Sequence, residues 1–199
     1  MKVAVLASGK GSNFQAIAKA VLKNKLKVDL KLLLTDKKNS LAREKAKKLK
    51  IKEIFINPEN FKSRLSFDHE IVKILRREKI KLIILAGYMR VLTPYFVKSF
   101  KNRILNIHPA ILPAFKGTDA IARAFKYGCK VTGVTVHLVD ERVDHGPIIL
   151  QETIRITKAM TLARLEKSIH QLEHRLYPLA IKLIVDKKVK LVGRNVKII

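Results

Sequence analysis

The stretch Lys2-Val3-Ala4-Val5-Leu6-Ala7-Ser8-Gly9-Lys10-Gly11-Ser12-Asn13 contains a short apolar strand, a glycine turn and the beginning of a helix. The apolar run from Val3 to Ala7 predicts the strand. The glycines after it allow a tight turn, and Ser12 or Asn13 is a candidate cap for a helix that runs to about Asn24. This strand-turn-helix unit is the building block of α/β sheets.

The same alternation continues along the chain. Apolar segments predict strands, and segments with helical apolar spacing or capping residues predict helices. The predicted strands are 28–35, 54–56, 80–86 and the run that begins at Ile104, and the predicted helices are 39–48, 66–79 and 93–100. Strands that alternate with helices indicate parallel pairing, so the fold class is α/β with a doubly wound, mostly parallel sheet.

The last third of the chain changes character. Residues 131–139 and 147–156 have the pattern of two strands around a polar loop, which predicts an antiparallel extension of the sheet. Residues 161–186 predict a long helix, and residues 189–199 predict two short strands around Gly193-Arg194. No linker or repeat interrupts the pattern, so we expect residues 1–199 to form a single domain.

Composition limits the function classes. Hydrophobic residues make up 48% of the 199 residues, which indicates a folded chain, and the single cysteine, Cys129, permits no disulfide framework and suits a reducing cytoplasm. Every apolar run is too short to span a bilayer. The net charge of +26 makes nucleic acid a candidate partner. The lysines are scattered without interleaved aromatic residues, however, which favours a solvated surface that attracts small anions.

Two polar residues follow the strand that begins at Ile104. Asn106 and His108 are separated by Ile107, and side chains alternate faces along an extended backbone, so the amide and the imidazole point the same way. Such a pair can stabilise an oxyanion and move a proton. The alternative is that two polar residues close a strand before a proline-rich loop.

Ligands of open α/β sheets bind at the carboxyl ends of the strands. Four segments with chemically useful residues follow predicted strands here, namely 8–13, 86–92, 106–113 and 140–147. We therefore expect all four at one edge of the sheet.

The glycine turn at residues 8–13 is a candidate anion site, because glycines expose backbone amides at a helix N-terminus. It lacks the dinucleotide fingerprint, since Phe14 occupies the third glycine position, and it lacks the P-loop lysine. We favour monophosphate binding by Gly11, Ser12 and Asn13 over a plain strand-to-helix turn.

Two further segments carry charge and apolar surface. In Ala86-Gly87-Tyr88-Met89-Arg90-Val91-Leu92, Arg90 offers a fork for a carboxylate or phosphate, and the apolar residues around it can line a slot. The alternative is core packing with one exposed arginine. In residues 140–147, a carboxylate that folds back onto His108 would favour the imidazolium form and raise its pKa. A solvated turn is the alternative there.

The run His170-Gln171-Leu172-Glu173-His174 matches a zinc-protease pattern. The pattern is short, and no third ligand presents itself in a second helix, so we favour a helix surface with one functional carboxylate, Glu173. No serine elbow or cysteine nucleophile motif supports covalent catalysis.

Together these segments closely resemble the phosphoribosylglycinamide formyltransferase family, the folate-dependent enzymes of purine synthesis. The matching segments span nearly the whole chain in order. They are 8–13, 86–92, Asn106-Ile107-His108-Pro109 with Leu112-Pro113, 134–138, Asp144 with 146–149, and 173–178.

The resemblance implies a Rossmann-like formyltransferase fold and an enzyme that transfers a formyl group from 10-formyltetrahydrofolate to the amine of glycinamide ribonucleotide. It also implies a cytoplasmic protein that needs no metal and is a monomer or a homodimer. It implies that Asn106 stabilises the oxyanion, that His108 as imidazolium shares this task and relays protons, and that Asp144 keeps His108 charged and oriented. The N-terminal half would hold the nucleotide phosphate and the C-terminal half the folate. The implied ribonucleotide site is Gly11, Ser12, Asn13, His170, Gln171, Leu172 and Glu173. The implied folate site is Arg64, Met89, Arg90, Val91, Leu92, Asn106, Asp140, Glu141, Arg142, Val143 and Asp144.

Four positions depart from the family pattern. Lys116 stands where proline is common, Asp119 where histidine is frequent and His170 where glutamine is common, and Arg142 adds a positive charge to the folate loop. They put affinity in question rather than reaction type.

Three rival functions fit parts of the sequence. A methionyl-tRNA formyltransferase shares the Asn-x-His-Pro core but should carry a further RNA-binding domain, for which 199 residues leave no room. A formyltetrahydrofolate deformylase should carry an extra N-terminal domain. A basic nucleic-acid-binding module is the rival from another class, and a steep salt dependence of binding would support it.

Overall fold

The computed structural model describes residues 1–199, which divide into two compact units, 1–105 and 106–199. The first unit contains β1 (Lys2–Leu6), α1 (Ser12–Leu22), β2 (Asp29–Thr35), α2 (Leu41–Lys48), β3 (Lys52–Phe55), α3 (Arg64–Arg77), β4 (Leu82–Leu85) and α4 (Pro94–Ser99). Strand β5 (Ile104–His108) begins in the first unit and ends in the second. The second unit continues with α5 (Ala120–Tyr127), β6 (Val131–Leu138), β7 (Ile148–Arg155), α6 (Leu162–Val185), β8 (Val189–Val192) and β9 (Asn195–Ile198).

The sheet of the first unit has the strand order β3-β2-β1-β4-β5. Strand β1 pairs in parallel with both β2 and β4, and β2 pairs in parallel with β3. The chain therefore moves outward from β1 to β3 and then returns to the other side of β1 with β4. This reversal makes the carboxyl ends of β1 and β4 a topological switch point, the place where α/β sheets bind ligands.

Helices α2, α3 and α4 of the first unit begin where a hydroxyl side chain accepts a backbone N–H that lacks a helical partner. Ser40 accepts the Ala42 N–H before α2, and Thr93 accepts the Phe96 N–H before α4. Helix α3 begins at Arg64, two residues earlier than the apolar spacing predicts, because Ser63 caps it.

The start of α1 corrects a prediction. Neither Ser12 nor Asn13 caps the helix; the capping position is Gly11, which has a left-handed φ of 65° and makes no side-chain hydrogen bond. An added Cβ on Gly11 would lie 2.7 Å from the Cα of Ala42 in α2. Glycine is therefore required both by the backbone conformation and by the close approach of α2.

The second unit carries the predicted antiparallel extension. Strands β6 and β7 pair antiparallel after β5, and the predicted hairpin at the C-terminus forms from β8 and β9. Helix α6 packs on β6 and β7. It buries a stripe at helical spacing that comprises Leu165, Ile169, Leu172 and Leu176.

The predicted fold class, an α/β sheet that is mostly parallel with an antiparallel extension and a long helix, is confirmed. Helix α5 is the main element that the sequence does not predict, since its N-cap, Asp119, has a left-handed φ of 55° and makes no side-chain capping bond. None of the helices has the length and apolar character needed to cross a membrane.

Candidate active site

Strand β5 ends in the predicted polar pair. Asn106 is half-buried and His108 is 4% exposed, and Ile107 between them is buried. Alternation along the strand directs the amide and the imidazole to the same face. The two residues therefore share one environment, as the sequence predicts.

The imidazole of His108 has an oxygen acceptor at each nitrogen. Its Nδ1 lies 3.2 Å from Oδ2 of Asp144, and its Nε2 lies 2.9 Å from the backbone oxygen of Phe115. A neutral imidazole carries a single N–H and can donate to only one of them. Only the imidazolium form of His108 can therefore donate to both oxygens.

Asp144 reaches the site from the loop between β6 and β7. Besides facing His108, its Oδ2 accepts the Gly117 N–H at 2.8 Å, and its Oδ1 accepts from Nδ2 of Asn106 at 3.3 Å. Burial alone would raise the pKa of Asp144. The nearby imidazole of His137, the hydrogen bond from the Gly117 N–H and the positive charge that the histidines can carry outweigh burial and hold the pKa of Asp144 below its usual value.

The pKa of His108 corrects one sequence-based expectation. The negative charge of Asp144 and the Phe115 carbonyl both raise this pKa, as expected of such partners. Burial acts in the opposite direction and is the largest effect, with smaller contributions from His137 and Arg123, so the pKa of His108 is lowered. The contact with Asp144 is thus confirmed, while the net direction of the shift is the reverse of the prediction.

His137 is a site residue that the sequence reasoning missed. It is 2% exposed near the end of β6, with its Nε2 3.2 Å from Nδ2 of Asn106 and 3.6 Å from Oδ1 of Asp144. Its Nδ1 lies 2.8 Å from the Leu138 oxygen, so the neutral form donates there and accepts from Asn106. The sequence signal that could have identified His137 is its position near the end of a predicted strand, like that of His108.

A buried threonine fixes the chain where it leaves His108. The hydroxyl of Thr135 accepts the Leu112 N–H at 3.1 Å and donates to the Ala110 oxygen at 2.7 Å. Nε2 of Gln151 adds bonds of 3.0 Å to both the Leu112 oxygen and the Thr135 hydroxyl. Strands β6 and β7 thereby hold the exit loop in one conformation.

The predicted phosphate loop lies at the switch point of the first unit. Ser8 joins the ends of β1 and β4, because its N–H donates to the Gly87 oxygen at 3.0 Å and its hydroxyl accepts the Met89 N–H at 2.9 Å. Ser12 and Asn13 form the first turn of α1, the end of a helix that attracts anions. The loop therefore has the geometry of an anion site.

The segment after β4 exposes apolar surface, as an apolar slot requires. Met89 is 68% exposed and Val91 is half exposed, while Leu92 is buried. The guanidinium of Arg90 lies over the ring of Phe67, 4.7 Å from its centroid. The other predicted folate residue of this unit, Arg64, is exposed at the first position of α3.

The remaining predicted residues belong to the second unit. Glu141, Arg142 and Val143 are exposed in the loop before Asp144. On α6, His170 and Gln171 are exposed and Leu172 and Glu173 are buried. The Nδ1 of His170 lies 3.0 Å from Oε2 of Glu173, so the two form an ion pair when the histidine is protonated.

Comparison with known proteins defines the class of protein. A family model described as "Formyl transferase" matches residues 1–181, and the chain belongs to the formyl transferase family. The chain is 41% identical over 184 residues to the phosphoribosylglycinamide formyltransferase of Bacillus subtilis (strain 168), which covers 92% of this chain and 94% of that protein. Within the family, the chain belongs with the phosphoribosylglycinamide formyltransferases, and that prediction is confirmed.

Two further proteins support this placement. The crystal structure of glycinamide ribonucleotide transformylase 1 from Symbiobacterium toebii matches with a TM-score of 0.97 and 36% identity, over 100% of this chain and 94% of that chain. The trifunctional purine biosynthetic protein adenosine-3 of Homo sapiens is 38% identical over 197 residues. The match covers 99% of this chain but 19% of the human protein.

Proposed function

We propose that this chain transfers the formyl group of 10-formyltetrahydrofolate to the amine of glycinamide ribonucleotide in purine biosynthesis. The observation that carries the proposal is the contact of the buried His108 with the half-buried Asp144 beside the amide of Asn106. The names of the similar proteins supply the substrate class. Asn106 supplies a hydrogen-bond donor, His108 a proton carrier and Asp144 a fixed negative charge.

The reaction assigns one role to each group. The substrate amine attacks the formyl carbon, a carbon–nitrogen bond forms, and the formyl oxygen becomes an oxyanion. Asn106 and His108 donate hydrogen bonds to that oxygen. When the bond to N10 of the folate breaks, N10 gains a proton and the former amine loses one, and His108 relays this proton. Asp144 stabilises the imidazolium throughout.

The present bonds of His108 indicate which N–H turns to the substrate. Its Nδ1–H faces the Asp144 carboxylate, while its Nε2–H faces the neutral Phe115 carbonyl. Hydrogen bonds to ionised acceptors are the stronger ones. The Nε2–H is therefore the donor that leaves its present partner for the oxyanion.

The binding roles are assigned from the same family resemblance. We assign the nucleotide phosphate to the amides of Gly11, Ser12 and Asn13, and further ribonucleotide contacts to residues 170–173. The formyl donor is assigned to Arg64, residues 89–92 and residues 140–144. In this proposal residues 1–199 act as one functional domain. We further propose that the reaction takes place in the cytoplasm and requires no metal or nucleic acid.

An absorbance assay with purified protein tests the proposal. Tetrahydrofolate should be released from 10-formyltetrahydrofolate only when glycinamide ribonucleotide is present, with one formylated ribonucleotide formed per turnover. Release that does not depend on the ribonucleotide would indicate a deformylase. No release under either condition would refute formyl transfer.

A further inference from the structure

The loop between β6 and β7 closes on itself through Asp140. Its Oδ1 accepts the Arg142 N–H at 3.0 Å, and its Oδ2 lies 2.6 Å from Nδ1 of His145. Burial would raise the pKa of Asp140, but these hydrogen bonds and the charges of His145 and Arg194 outweigh burial and lower it. Asp140 therefore stays ionised and ties the two ends of the loop together.

The loop also returns tightly against the end of β6. An added Cβ on Gly146 would lie 1.9 Å from the backbone oxygen of Leu138. Only glycine permits this approach. This close approach fixes the end of the 140–146 loop at Gly146, two residues after Asp144, which faces His108.

Arg194 reaches the same loop from the C-terminal hairpin. It lies in the turn between β8 and β9, with its Nη1 3.0 Å from Nε2 of His145, and its Nη2 donates to the His145 backbone oxygen. Nη1 also lies 3.3 Å from Nδ1 of His145, so the guanidinium lies over the imidazole ring, whose Nδ1–H donates to Asp140. Arg194 thus holds His145 through its ring and its backbone oxygen, and His145 in turn holds Asp140.

These contacts of His145 also hold Asp144, the residue before it in the chain. Asp144 has a left-handed φ of 45°, a conformation that residues other than glycine keep only when their surroundings favour it. The bonds to His145 from both sides impose the backbone path immediately after Asp144. The carboxylate is thereby kept where it faces His108.

We propose that Arg194 is a positioning residue, through which the C-terminal hairpin holds the 140–146 loop and orients Asp144 toward His108. The proposal rests on the proposed function for its kinetic consequences, while its structural consequence can be measured separately. It assigns a role to the hairpin of β8 and β9, which lies outside the residues expected to touch substrate.

Hydrogen exchange tests the structural part on the full-length chain. In Arg194→Ala, the amides of residues 140–146 should exchange faster than in wild type, and those of β6 should not change. Lys197→Ala is the matched control, since Lys197 is an exposed cation on the same hairpin. Equal exchange in the two variants would overturn the proposal.

Kinetics test the positioning role. Arg194→Ala should lower kcat by about tenfold and raise KM for the formyl donor, with KM for the ribonucleotide unchanged, because the loss is one of orientation. Arg194→Lys should recover part of kcat, since it restores one donor. Unchanged kcat in a variant whose loop exchanges faster would refute the link to Asp144.

The pH profile separates positioning from a general loss of stability. The charged and titratable groups that face His108 are Asp144, His137 and Arg123. If Asp144 drifts away, the pKa of His108 falls further, and the decline of kcat toward alkaline pH should begin at lower pH in Arg194→Ala. An unshifted profile would overturn the proposal. Absence of formyl transfer in wild type would refute the proposed function instead, and hydrogen exchange would still test the loop contact.

Discussion

Oδ2 of Asp144 lies 3.2 Å from Nδ1 of His108 and at the same time accepts the Gly117 N–H at 2.8 Å. The backbone bond fixes the carboxylate independently of the histidine. Burial disfavours the charged imidazole, and the carboxylate opposes that effect. The reactivity of His108 therefore depends on a balance between a desolvated position and one well-held negative charge.

Asn106 should contribute mainly to kcat. Asn106→Ala removes the amide donor assigned to the oxyanion, and loss of such a donor typically costs about 10²–10³-fold in kcat. Steady-state kinetics with both substrates measure the effect, and KM for each should change little. Asn60→Ala, an exposed asparagine of the first unit, is the control. A kcat within a factor of about two of wild type would be too small for oxyanion stabilisation.

His137 should affect the reaction through Asn106. His137→Ala removes the acceptor that lies 3.2 Å from Nδ2 of Asn106, so the amide loses one of its two partners. We expect kcat to fall by about tenfold from misorientation. His69→Ala, an exposed histidine stacked on Tyr95, should leave kcat unchanged. An equal response of the two variants would remove His137 from the site.

Gly11 should be required for the phosphate loop, whereas Gly9 should tolerate substitution. Gly11→Ala places a Cβ 2.7 Å from the Cα of Ala42 and strains a left-handed backbone, at a cost on the order of 1–3 kcal/mol. It should lower the free energy of unfolding and raise KM for the ribonucleotide. At Gly9 an added Cβ meets no atom within 4 Å. Similar KM values for Gly9→Ala and Gly11→Ala would argue against phosphate binding at this loop.

Thr135 should matter for stability. Thr135→Val keeps the volume but leaves the buried Leu112 N–H and Ala110 oxygen without this partner, which should cost about 1–3 kcal/mol. Urea denaturation measures the change in the free energy of unfolding. Thr132→Val on the same strand is the control, since Thr132 is also buried. If the two variants unfold at the same urea concentration, the hydroxyl does not hold the exit loop.

The sequence predicts most of the fold because local patterns dictate it. The apolar strand β1, the cap at Thr93 and the stripe on α6 each depend on neighbours in the chain, and each is confirmed. Helix α5 and the Gly11 cap escape prediction because both begin with a left-handed residue that makes no side-chain capping bond.

The site is predictable only in part. Alternation on β5 places Asn106 and His108 together, and the resemblance brings Asp144 to them. His137 and the lowered pKa of His108 depend on burial and on the pairing of distant segments. No spacing rule along one chain contains that information.

The pH dependence of kcat in Asp144→Asn tests the central claim most directly. Loss of the carboxylate removes a charge that raises the pKa of His108, so the imidazolium becomes scarcer at neutral pH. We predict that kcat near pH 7 falls by about 10²-fold and that its alkaline decline moves to lower pH, as expected when a proton carrier is lost. Asp186→Asn, at the exposed end of α6, should match wild type. A wild-type kcat and an unshifted profile in Asp144→Asn would contradict the account.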